Sequence, residues 1–196
     1  MHDELPGSGR ERRTRLARLV LVVTTLMAMI VVGTPGMATA HVFGPNDGGH
    51  ILMDNNPVTF ASDEDNNDHH LYWNHFMHFQ QYDYYDAMTS LRVQELPRFG
   101  WVTDTDVVWF AAAIPDGGDE SCRRVVGGRC DRARIRFNES LTRQISAEAG
   151  FHFACHELGH AYGFGHILDD SCMRDNPSVL GQINGHMIGH INATYP

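Results

Sequence analysis

The chain has 196 residues, 42% of them hydrophobic, with 24 Asp and Glu against 15 basic residues and a formal net charge of −9. That length suits a small number of domains with a sizeable core, and the acidic balance argues against nucleic acid as a partner. All 15 basic residues are arginine, a bias that reads as a GC-rich, bacterial coding origin.

Residues 1–40 read as an export signal. Arg10, Arg12, Arg13, Arg15 and Arg18 form a basic stretch, Leu19 to Gly33 is an apolar run, and Ala38-Thr39-Ala40 fits the small-x-small cleavage rule. The run is shorter than the roughly 20 residues of a comfortable membrane span, so a cleaved, secreted protein without stable membrane association is expected. Arg12-Arg13 leaves the twin-arginine route open beside general export. Residues 41–196 would then form one domain and a monomer, with 10 Arg against 21 acidic residues and a formal charge of −11. A newly exposed His41 would offer an amine and an imidazole to Cu(II), a rival metal reading.

Residues 41–70 are polar and turn-rich, an irregular N-terminal stretch or short pro-segment, with a first strand at 57–60. The acidic run Asp63 to Asp68 fails as an EF-hand calcium loop: Asp68 stands where glycine is required and Asn74 where the bidentate glutamate belongs. Structural Ca²⁺ is therefore unsupported. From Leu71 to Leu91 apolar residues recur at helical spacing, with Trp73, Phe76, Met77, Tyr84, Met88 and Leu91 predicted on one side of a long helix. Val107 to Ile114 is a continuous apolar run, predicted as a buried central strand. Arg132 to Phe137 alternates charged with apolar residues, the pattern of a strand exposed on one face, as an edge strand would be. Ser140 or a neighbour is expected to cap a helix carrying Ile145 and Phe151 onward, and 181–194 predicts a closing helix. The order is that of an α+β domain.

The next helix carries the chemistry. Its sequence His156-Glu157-Leu158-Gly159-His160 puts two imidazoles four residues apart, on one face and about one turn from each other, where both can grip one ion. Glu157 is rotated about 100° from His156, a poor ligand but a good neighbour for a reacting water. Gly163 falls three residues after His160, where a helix turning sharply needs a residue free to take positive φ. His166 can then approach the same ion from the other side.

This HExxHxxGxxH pattern, with Met173 beyond it, resembles the metzincin clan of zinc endopeptidases, in a compact, bacterial, matrixin-like form. All five specified positions match, and the specific resemblance covers residues 130–196. It implies a minimal zincin-like catalytic domain: a mixed sheet backed by a long helix, an active-site helix, a methionine turn and a C-terminal helix. Asp169 to Met173 would be that turn, with Met173 the apolar floor. His156, His160 and His166 would hold one catalytic Zn²⁺, and Glu157 would act as general base in hydrolysis of a protein or peptide substrate. No tyrosine just past Met173 supports a fifth ligand, and no residue there reads as diagnostic of specificity. A catalytically silent zinc-binding module is the alternative from another class.

Cys122, Cys130, Cys155 and Cys172 are an even number in an exported chain, so disulfides are expected. Of three pairings, Cys122 with Cys130 and Cys155 with Cys172 are favoured, the second tying the residue before His156 to the residue before Met173. His186 and His190 repeat the four-residue spacing without an acidic neighbour and read as helix surface, as do His69, His70, His75 and His78. His152, one turn before His156, reads as helix-face packing or as a group orienting a ligand.

Overall fold

A computed structural model describes residues 43–44, 49–62, 68–96, 105–167, 170–174 and 181–196. The expected export signal, His41 and the acidic run at 63–67 lie outside the described residues. Among the described residues, five strands and three α-helices make an α+β unit with a mixed sheet. The strands are β1 (Val58–Ser62), β2 (Val93–Glu95), β3 (Val107–Ala112), β4 (Gly118–Val126) and β5 (Arg129–Asn138). Their order is β2-β1-β3-β5-β4, parallel throughout except that β4 runs antiparallel to β5.

β3 is the buried central strand that its unbroken apolar sequence predicts. The alternation in β5 also holds, since Ala133, Ile135 and Phe137 are buried. Its expected edge position does not: β5 lies between β3 and β4. The edge belongs to β4, whose sequence GDESCRRVV has no apolar alternation to announce a strand. It pairs because the Gly127-Gly128 turn, with both glycines at positive φ, folds it back on β5.

The helix α1 (Asp68–Phe79) packs on the sheet, with the Trp73 ring stacked on Phe137 at 4.4 Å. The predicted helix from Leu71 to Leu91 does not continue in α form. Gln80–Asp86 is a π-helical stretch, whose wider turn rotates the following residues relative to a 3.6-residue pattern. Tyr85 is therefore fully buried where the spacing predicts Tyr84, and Met88 is exposed. The phase change also buries two amides: Gln80 Nε2 donates to the carbonyls of Phe151 and Gly181, and Gln81 accepts from the Tyr162 hydroxyl.

The second helix, α2 (Ala147–Ala161), starts at Ser146 rather than Ser140, since the Ser146 side chain accepts from the Ala149 N–H. Ser140 lies in a single 3₁₀ turn. The closing helix α3 (Gly185–Thr194) is shorter than predicted and is capped by Asn184, which accepts from the Met187 N–H. Both favoured disulfides are present, Cys122–Cys130 and Cys155–Cys172. Among the described residues, no helix is long and apolar enough to cross a membrane.

Candidate metal centre

His156 and His160 leave the same face of α2 with their rings 4.6 Å apart and nearly perpendicular. The Nε2 atoms of His160 and His156 are 3.0 Å apart, and those of His156 and His166 are 3.1 Å apart. His166 reaches this point because the chain reverses at Gly163, whose φ is +105°. The Gly163 N–H donates to the His160 carbonyl and the Phe164 N–H to the Gly159 carbonyl, closing the helix end. Leu52 packs against Gly163 where a Cβ would otherwise lie.

The outer nitrogens fix the tautomers. His156 Nδ1 lies 2.7 Å from the Cys172 carbonyl oxygen and His160 Nδ1 lies 2.8 Å from that of Phe164. A carbonyl only accepts, so each Nδ1 carries a proton, and in the neutral ring this leaves Nε2 with the free lone pair. Burial first, then the imidazoles of His156, His50 and His166, push His160 down to about 2, so its ring is neutral. Bare lone pairs at 3.0 Å repel unless a cation lies between them. A tetrahedral ion with bonds of about 2.0–2.1 Å would space its nitrogens about 3.4 Å apart, close to the separations observed. The donor set therefore fits an imidazole-preferring metal. Among the described residues, these three form the one group of three or more side chains able to hold a metal.

Glu157 is not part of the metal-capable group but lines the same cleft, and it is 4% exposed. It lies so close to β4 that a Cβ on Gly118 would stand 2.8 Å from its Cγ and Oε1. Burial, and then the carboxylates of Asp119, Glu120 and Asp116, push its pKa up to about 8. Glu157 Oε2 is buried with no hydrogen-bond partner among the described residues.

Met173 is fully buried, and a Cβ on Gly159 would overlap its sulfur. The Ile167 N–H donates to the Met173 carbonyl at 3.2 Å, binding the segment after His166 to this turn. Asp169 is outside the described residues. The Cys155–Cys172 disulfide joins the residue preceding His156 to the residue whose carbonyl orients it.

These groups share a cleft of about 780 Å³, whose walls add His50, Glu120, Phe153 and Arg174 to the motif. Sequence reasoning misses His50 and Glu120, which only the tertiary fold brings to the motif, whereas Phe153 precedes His156 by one turn of α2 and Arg174 directly follows Met173. His152 is buried at the same cleft, its ring 5.6 Å from that of His156. His186 and His190 face each other on α3 at 4.7 Å, outside the metal-capable group. His190 also lies against Phe43 and Phe164. No protein-family model matches the chain, and no curated protein matches it.

Proposed function

We propose that the chain is a secreted, zinc-dependent endopeptidase of the metzincin type, compact and matrixin-like. The observation that carries this reading is the convergence of three imidazole Nε2 atoms in one cleft with a buried carboxylate oxygen that has no hydrogen-bond partner among the described residues. His156, His160 and His166 would hold the ion. When bound, Zn²⁺ supplies Lewis acidity, lowering the pKa of water to about 7 and polarising the scissile carbonyl.

Glu157 takes the proton from the attacking water and hands it to the departing amine nitrogen, so no covalent enzyme intermediate is needed. Its protein surroundings favour the proton-bearing form, which suits the second half of that cycle, and a nearby dication favours the carboxylate needed for the first. Among the described strands β4 pairs on one side only. Its other edge offers backbone groups to an extended peptide, held by main-chain hydrogen bonds over the cleft.

The test is cleavage of casein by the signal-free chain, beside Glu157→Gln, with and without chelator, with metal content measured on the same samples. The expected result is about one zinc per chain in both proteins, and cleavage that is chelator-sensitive and at least about 100-fold weaker in the variant. Zinc without cleavage in the parent would reduce the chain to a binding module. Absence of zinc in correctly oxidised protein would overturn the reading.

A further inference from the structure

His50 enters the centre from the segment ahead of β1, far upstream of the metal motif. Its backbone N–H donates to the Gly163 carbonyl at 3.1 Å, beside the Gly44 N–H, which donates to the same oxygen at 2.8 Å. Farther on, the Cys130 N–H donates to the Leu52 carbonyl and the Asp54 N–H to the Cys130 carbonyl. Residues 49–54 are thus a strap, fixed at one end to the turn between His160 and His166 and at the other to the start of β5.

The His50 ring lies flat on the His160 ring, centroids 4.2 Å apart and planes within 18°. Its Nδ1 is 2.7 Å from Glu120 Oε2, and the Glu120 side chain is only 4% exposed. Glu120 is opposite Ile135 in the β4–β5 register, on the core-facing side of the sheet. A carboxylate buried this far needs a donor, and His50 provides it. The contact between Nδ1 and the Phe164 carbonyl sets the in-plane direction of the His160 ring, but a single hydrogen bond leaves the ring free to rock about it. A flat ring stacked on its face removes that freedom.

We infer that Glu120 and His50 are a positioning pair for the metal ligand His160, and that the strap carrying His50 is a lasting part of the metal centre rather than a removable pro-segment. The inference rests on the proposed metal-binding reading. It requires no change in the protonation of either residue. Glu120 holds the His50 ring in place, His50 holds the His160 ring in place, and Nε2 of His160 stays directed at the ion.

The test compares the parent chain with His50→Ala, His50→Phe and Glu120→Gln. Zinc affinity is measured by chelator competition, and the visible spectrum is recorded for the cobalt-substituted proteins. His50→Ala should bind zinc about 10- to 100-fold more weakly and alter the cobalt bands, since ligand-orienting partners contribute on that scale. His50→Phe keeps the flat ring but takes the donor from the buried Glu120 carboxylate, so it should lie between His50→Ala and the parent. Glu120→Gln, whose amide can still meet the His50 ring, should lie nearer the parent. Equal affinity and an unchanged cobalt spectrum in His50→Ala would overturn the inference, as would a Glu120→Gln protein weaker than His50→Ala. A parent chain that binds no metal would instead remove the metal-centre reading itself, so the two failures are told apart.

Discussion

The fold controls the charge state of Glu157. Unfolded, its carboxyl ionises near 4.5; folded, burial and three neighbouring carboxylates raise it to about 8. Between those values the metal-free native state binds more protons than the unfolded state, so stability falls as pH rises. The penalty is absent below about 4.5 and complete above about 8. Metal-free Glu157→Gln should therefore be more stable than the parent at pH 8 by about 2–5 kcal/mol, with the gap closing toward pH 5. Urea denaturation at both pH values checks this, and a gap that does not change with pH would refute it. Gly159 is controlled by space rather than charge. Gly159→Ala should cost about 1–3 kcal/mol through overpacking against Met173, read as a lower urea midpoint.

At the scale of elements, α2 and the 170–174 turn act as one device. The turn supplies the acceptor for His156 and the packing beneath Gly159, and a disulfide ties it to the helix. Reducing the disulfides, or making Cys155→Ser with Cys172→Ser, should weaken metal binding about tenfold, measured by chelator competition. Unchanged affinity would show that packing alone holds the turn. This device is legible in the sequence because its information is local: a four-residue spacing, a glycine at the reversal, two cysteines beside the residues they join. The π-helical stretch is not. Tyr84 and Tyr85 suit a buried position equally by type, and the buried amides of Gln80 and Gln81 look like surface residues until their distant partners are known. Strand β4 is hidden for a related reason, since an edge strand with polar side chains carries no period-two signal. With β4 silent in the sequence, the alternation in β5 points to an edge that β4 in fact occupies.

For the whole molecule, the α+β architecture follows from the apolar run of β3 and the periodic residues of α1, whereas the walls of the cleft do not. His50 and Glu120 are 70 residues apart, and nothing in either local sequence points to the other. The chain is sewn shut beside the site in the same long-range way. The Met53 N–H donates to the Tyr195 hydroxyl at 3.0 Å, and that hydroxyl donates to the Tyr162 carbonyl at 3.3 Å. Burial pushes the Tyr195 hydroxyl well above its ordinary pKa, so it stays protonated and able to donate. Tyr195→Phe should cost about 1–3 kcal/mol because it strands a buried N–H. The effect should appear as a lower urea midpoint with an unchanged m-value.

The Tyr195 closure also bears on how the protein is made. All three imidazoles and Glu157 precede Tyr195 in the chain, so the phenol that joins the strap to the end of α2 is made after every ligand. A chain ending just before Gly185 would carry every ligand while lacking α3 and that closure. On the proposed reading, a protein cut at that point keeps its ligands but loses the bond that holds the strap to them, and should bind zinc more weakly than the parent.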